Sequence, residues 1–212
     1  MIGDVINLRE EHLNTGEAIF NIIKQKLKDN KKFAIGICGE SGSGKSVTAF
    51  SLQKVMEMHG IQSRVLQMDD YFKLPPKSNH DNRKKSLEHV GTHEVQLNLI
   101  HENVLEFKAG KSFLRKPLVN YQENSISEEI INVDEVQVLI IEGTYILEMD
   151  DFDISIFIDK NYRDTYESRM NRNRDEQTDF IEEVLKIEHE IIRNFKEKAS
   201  VILDKDYQIV MP

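Results

Sequence analysis

Gly39-Glu40-Ser41-Gly42-Ser43-Gly44-Lys45-Ser46, with Val47 after it, decides how the rest of the chain is read. Its spacing is G-x-x-x-x-G-K-[ST], a phosphate-binding loop. The glycines let the backbone curl until successive N–H groups face one concavity. A nucleotide β-phosphate fits there, at the N-terminus of the helix that follows. Lys45 can reach the β- and γ-phosphates as a point charge, and the Ser46 hydroxyl is placed to coordinate the Mg²⁺ that bridges them. The flanking sequence agrees. Phe33-Ala34-Ile35-Gly36-Ile37-Cys38 is an apolar run of strand length, and no Pro or Gly interrupts Val47 to Met56. Strand, glycine loop and helix are the setting this motif needs. Gly39 to Val47 are therefore expected to bind the phosphates of a nucleotide with Mg²⁺.

Composition narrows the classes around that loop. The 212 residues can bury a sizeable core. A net charge of −9 argues against a nucleic-acid or membrane-surface partner, which wants a basic face. The single cysteine, Cys38, excludes an intrachain disulfide and fits a reducing compartment. No basic segment followed by a long apolar one opens the chain, and no apolar run reaches membrane-span length. The cytoplasm is the expected location, and a homo-oligomer is left open. The seven histidines show no metal-ligand spacing. Of these, His89 and His93 are the candidates for a place near substrate.

Outward from the loop, residues 14–29 read as a helix, with Asn14 and Glu17 at capping-box spacing. Ser63 to Met68 reads as a second strand ending in Asp69-Asp70-Tyr71-Phe72. Strand C-termini line the ligand crevice in open α/β folds, so an acid there is either a substrate group or a turn cap. Residues 73–91 read as loop. Within them Arg83-Lys84-Lys85 forms either a solvated face or a site for an anionic substrate. Thr92 is expected to cap a helix reaching Phe107, and residues 111–133 read as irregular. Val136 to Ile141 is a third, nearly all-apolar strand closed by Glu142, a place for an acid acting on Mg²⁺ or its waters or for a structural carboxylate. Ile154 to Asp159 is a fourth strand. A helix over 162–174 carries Arg169 and Arg172 three apart, hence on one face, as solvated residues or as a lid over the transferred phosphate. A long helix over 178–198 and two short strands, Ala199 to Leu203 and Tyr207 to Val210, end the chain. No Asn-Lys-x-Asp run occurs, which removes the guanine-specificity signature of a GTPase switch.

The ordered set of the loop, Asp69-Asp70-Tyr71-Phe72, Glu88-His89, Tyr121 after Pro117, Ile141-Glu142-Gly143 and Ile156-Phe157-Ile158-Asp159 resembles the uridine kinase and phosphoribulokinase-related family of P-loop kinases over roughly residues 33–210. The resemblance implies an α/β, three-layer fold with a mostly parallel, about five-stranded sheet and a short helical lid. It implies one kinase domain over 1–212, with an N-terminal helical extension over 1–32 and a lid at about 162–176. It implies transfer of the ATP γ-phosphate to a hydroxyl of a small molecule, most simply a nucleoside such as uridine or cytidine. A sugar phosphate or a pantothenate-like alcohol is the alternative acceptor, and a nucleotide-binding regulator without acceptor chemistry is the alternative function. Carried over by position, Asp69 accepts the hydroxyl proton, Glu142 joins Ser46 at the magnesium, Arg169 and Arg172 are lid arginines, and Phe72, His89 and Tyr121 lie on the acceptor side. The acceptor motifs depart from the family pattern: Glu88-His89-Val90-Gly91 stands where Asp-His-Pro-Asp is usual, and Glu128 stands near an expected Arg.

Overall fold

A computed structural model describes residues 2, 6–29, 31–170 and 178–210. In chain order the elements are α1 (Glu10–Ile23), β1 (Phe33–Gly39), α2 (Lys45–Met58), β2 (Ser63–Gln67), α3 (Pro76–Lys85), α4 (Leu97–Lys108), β3 (Phe113–Asn120) and β4 (Ser125–Asn132). They continue with β5 (Val138–Glu142), β6 (Ile154–Ile158), α5 (Tyr166–Met170), α6 (Asp179–Ile192), β7 (Val201–Leu203) and β8 (Ile209–Val210).

Two-residue alternation along β1 creates the layers. Ala34 and Cys38 enter one core with Leu139, Ile141, Phe157, Ile100, Val104 and Phe107. Ile35 and Ile37 enter the other with Ile140, Ile156, Ile19, Ile23, Leu52 and Val55. α1 and α2 thus cover one face of the sheet, and α4 with the segment after α6 covers the other. A strand buried on both faces is apolar throughout, which is why β1 and β5 were visible in the sequence as continuous runs.

The main sheet has the order β2-β5-β1-β6-β7-β8. β1 pairs in parallel with β5 and β6, β2 with β5, and β6 with β7; β8 alone runs antiparallel, against β7. The chain therefore leaves β1 toward β2 on one side, and crosses from β5 to β6 on the other. The C-terminal end of β1 is a topological switch point, the place where an open α/β sheet parts to admit a ligand. The phosphate loop occupies it. The mostly parallel three-layer fold expected from the sequence is the fold observed, with five parallel strands and one added antiparallel strand.

Four local expectations are corrected. Residues 111–133 are not irregular: β3 and β4 form a separate antiparallel hairpin in register from Phe113↔Asn132 to Asn120↔Ser125. Residues 73–91 hold a ten-residue helix, α3, with Pro76 at its first position, where the missing N–H costs nothing. A short 3₁₀ turn takes up Thr92–Glu94, and α4 begins only at Leu97. α1 starts at Glu10, capped from Arg9 rather than Asn14, and ends at Ile23. Among the described residues no helix is long and apolar enough to cross a membrane.

Candidate active site

The loop that follows β1 turns on two left-handed glycines, Gly42 at φ 77° and Gly44 at φ 93°. Both have positive φ, which only glycine adopts without strain. The Glu40 carbonyl accepts from the Ser43 N–H at 3.1 Å and from Lys45 Nζ at 3.0 Å, so the lysine folds back over its own loop. α2 then starts at Lys45, its N-terminus behind the loop.

β5, beside β1, and β2, beside β5, bring acids to this spot. β5 ends at Glu142, whose Oε1 accepts from the Ser46 hydroxyl at 2.8 Å and from Gln67 Nε2 at 3.3 Å. Burial pushes the Glu142 carboxyl above its ordinary range; Lys45 opposes that and Asp69 adds to it. A buried carboxylate and a hydroxyl with an acid beside them are the hard oxygen donors that suit Mg²⁺, which keeps most of its waters and takes few protein ligands. Among the described residues no cluster of three or more acids, histidines or cysteines stands ready for a fully protein-held metal. Ser46 and Glu142 would hold the ion, which would neutralise charge on the bridging phosphates.

Asp69 and Asp70, adjacent in sequence, go to opposite places. Asp69 is exposed and lines a cleft of about 270 Å³ with Ser41, Gly42, Lys45, Ser46 and Glu142. Asp70 is buried, accepting from Lys116 Nζ at 2.8 Å and from the Val119 N–H at 3.0 Å. It ties β2 to the β3–β4 hairpin. The hairpin tip brings Tyr121 into the lining of the same cleft, to which Phe72 also contributes. Asn124 fixes that tip to the start of α3, accepting from the Lys77 N–H at 2.8 Å and donating to Ser78 Oγ at 3.1 Å.

Three polar residues of the cleft were not singled out in the sequence: Asn79, Thr144 and Glu188. With Arg83 they define its polar wall. Arg83 grips Glu94 through Nε at 2.6 Å and Nη2 at 2.8 Å, and reaches Glu188 Oε1 at 3.0 Å. Asn79 donates to Glu94 Oε1 at 2.9 Å. Burial disfavours the Arg83 charge, yet the two carboxylates outweigh it and hold the guanidinium firmly protonated. Arg83 is therefore committed to protein acids, while Lys84 and Lys85 are exposed outside the cleft lining. No local signal in the sequence reveals Glu188, which α6 brings to the cleft beside Arg83 of α3.

Burial also pushes the Glu188 carboxyl up, with Arg83 opposing. A carboxyl raised in the folded state contributes stability that is full below its ordinary value of 4.5 and is lost as pH rises through the folded value. Glu188→Gln keeps an acceptor for Arg83 but does not titrate. The variant is expected to gain stability relative to wild type as pH climbs above 4.5, with the two converging below it. Urea midpoints across that window measure this; parallel curves would refute it.

The remaining candidates are placed as follows. Glu40 turns its carboxylate away from the loop to His189 Nδ1 at 2.6 Å, and burial raises its carboxyl against that bond. Arg169 is buried; its stem lies against Gly42, where an added Cβ would come within 2.9 Å of its Cγ, and its Nη1 donates to the Tyr162 carbonyl and to Thr165 Oγ1. Arg172 and residues 171–176 of the expected lid lie outside the described residues. His89 sits on the 3₁₀ turn Leu87–His89 and does not line the cleft, because α3 and the turn after it carry it outward; His93 does not line it either. Cys38 is buried under the sheet end, where burial pushes its thiol up to about 12, so it is no nucleophile.

Comparison with known proteins identifies a family. The sequence model of the Phosphoribulokinase / Uridine kinase family matches residues 34–199. The chain is 28% identical over 188 residues to the uridine kinase of Staphylococcus epidermidis, covering 86% of this chain and 88% of that one. It is 28% identical over 189 residues to the bifunctional alpha-galactosidase/sucrose kinase AgaSK of Mediterraneibacter gnavus, covering 82% of this chain but only 20% of that protein. Among solved structures, a possible uridine kinase from Bacillus stearothermophilus superposes with a TM-score of 0.66 at 18% identity, over 89% of this chain and 97% of that one. Phosphoribulokinase from Rhodobacter spheroides superposes with a TM-score of 0.62 at 12% identity, over 83% and 71%. These two likenesses concern the fold.

Proposed function

The chain belongs to the Phosphoribulokinase / Uridine kinase family and is a small-molecule phosphotransferase, and we propose that it moves the γ-phosphate of ATP onto a hydroxyl of a neutral acceptor, a nucleoside such as uridine or cytidine first among them. One observation carries the reading: Lys45, Ser46, Asp69 and Glu142 share a single cleft with Phe72 and Tyr121. Phosphate-loop residues, aromatic side chains and Asp69 line one cleft, so an acceptor bound there could present a hydroxyl to Asp69. Asp69 is the proposed base, Lys45 the counter-charge to the transferred group, Ser46 and Glu142 the holders of Mg²⁺. Tyr121 offers a π-face to a base.

Neutrality of the acceptor is supported by the committed state of Arg83. Apart from Lys45, the cleft adds the carboxylates Asp69, Glu142 and Glu188 to that one neutralised cation. A phosphorylated acceptor would meet repulsion rather than a free basic patch. A second reading, a neutral sugar, is favoured by the same carboxylate and amide wall, whose groups pair with hydroxyls, and by the sucrose kinase activity named for one relative.

The test is a panel of nucleosides, neutral sugars, sugar phosphates and small alcohols with MgATP, reading ADP release above the rate without acceptor. Uridine or cytidine is expected to be turned over with weak salt dependence, since no exposed charge pair is made. Tyr121→Ala is expected to raise KM for the nucleoside about tenfold, in line with ~1–3 kcal/mol for stacking on an aromatic ring. Turnover of a sugar phosphate alone, falling steeply with salt, would overturn the neutral acceptor.

A further inference from the structure

The turn between β7 and β8 contains a tyrosine in a conformation that tyrosine seldom adopts. Tyr207 has φ 59°, in the left-handed region. Its turn is organised by Asp204, which accepts from the Tyr207 N–H through its carbonyl and from the Asp206 and Gln208 N–H groups through Oδ1. Asn or Gly would satisfy that backbone at lower cost. What those residues lack is the reach of the phenol. The Tyr207 hydroxyl donates to the Ser43 carbonyl at 2.9 Å, across 164 residues of sequence.

Two further contacts fix the ring. Lys160 Nζ lies 4.1 Å from the ring centroid. On the loop side, a Cβ added at Gly44 would come within 2.5 Å of the Tyr207 hydroxyl oxygen, so the ring and the loop backbone are in close packing. Strain of this kind persists where the surroundings over-determine it, and such positions cluster at working sites.

We infer that Tyr207 is a positioning residue of the nucleotide site. A phosphate cradle works only while its N–H groups face the ligand and its carbonyls face away. In this loop the Glu40 carbonyl is engaged by the Ser43 N–H and Lys45, and the Gly44 carbonyl by the Thr48 N–H at 2.9 Å. The Ser43 carbonyl, between them, is held by Tyr207. Releasing it frees the Ser43–Gly44 peptide to rotate, which turns an oxygen toward the phosphate and the following N–H away from it. The inference rests on the reading of residues 39–47 as the ATP site.

Tyr207→Phe keeps the ring, its packing on Gly44 and its contact with Lys160, and removes only the hydroxyl. MgATP affinity is measured by calorimetry at a temperature where circular dichroism shows both proteins fully folded, with Lys45→Ala alongside. The dissociation constant of Tyr207→Phe is expected to rise about three- to tenfold, the worth of one hydrogen bond, with kcat at saturating MgATP within about twofold of wild type. A residue that merely shapes its turn would lower the melting temperature of the nucleotide-free protein and leave the MgATP constant where it was; an unchanged constant overturns the proposal. If Lys45→Ala also binds MgATP like wild type, the nucleotide reading itself is wrong. Loss of binding in Lys45→Ala with none in Tyr207→Phe removes the tyrosine alone.

Discussion

Lys45→Ala is expected to lower turnover by at least about 10²–10³-fold, the scale at which one preorganised charge acts on the group it stabilises. The ammonium is delivered by the first residue of α2, folds back to the Glu40 carbonyl, and lies in the same cleft as Asp69 and Glu142. It is the cation on hand for charge that builds on the β- and γ-oxygens. Its removal has a second consequence. Lys45 is the largest influence holding down the Glu142 carboxyl against burial. Without it that carboxyl rises further, so less of it is ionised at a given pH, and Mg²⁺ requires the ionised form. MgATP binding in the variant should therefore weaken more on acidification than in wild type. The fold should survive, because Lys45 is half-buried in the lining of the cleft. Near wild-type phosphorylation by Lys45→Ala would sink the assignment of the loop.

How much of this was legible follows from which forces act locally. The loop, β1 and β5 announce themselves because glycine chemistry and two-sided burial are written in contiguous residues. Glu142 was found for the same reason: it closes an apolar strand. The β3–β4 hairpin was missed because its inward residues are disguised. Pro117 sits inside β3, which argues against a strand, and Lys116 is buried only by its pairing with Asp70 and Glu129. α3 was missed because it has almost no apolar face; Asn79 alone is buried, and the Asn79–Glu94 and Arg83–Glu94 bonds hold it. Helix periodicity reports burial of apolar side chains, so a helix fastened by polar contacts leaves no trace in it. The same argument covers Glu188 and His189. Each meets its partner across more than a hundred residues of chain, through the packing of α6 against the sheet end. The basic run at 83–85 shows the reverse error: a cluster in sequence became one half-buried strut and two exposed lysines in space.

Asp69→Asn is expected to lower kcat by about 10²–10⁴-fold, the range for losing a general base, while MgATP affinity stays close to wild type. The contrast with Asp70 gives the experiment its force, since one peptide bond separates the two acids. Asp70 is buried in an ion pair with Lys116 and a bond to the Val119 N–H. Asp70→Ala strands that lysine with only Glu129 and the Pro117 carbonyl, and should cost about 3 kcal/mol of stability, the lower end for breaking a buried pair. Asp69 is exposed at the cleft, so Asn in its place should change stability little. Asn keeps the size and one acceptor oxygen but cannot take a proton, so an acceptor would still bind and fail to react. kcat should therefore fall with little change in the acceptor KM. A parallel loss of MgATP affinity in Asp69→Asn would move the residue to the metal, beside Glu142, whose carboxyl already feels its charge. A fall in melting temperature matching that of Asp70→Ala would move it to the scaffold.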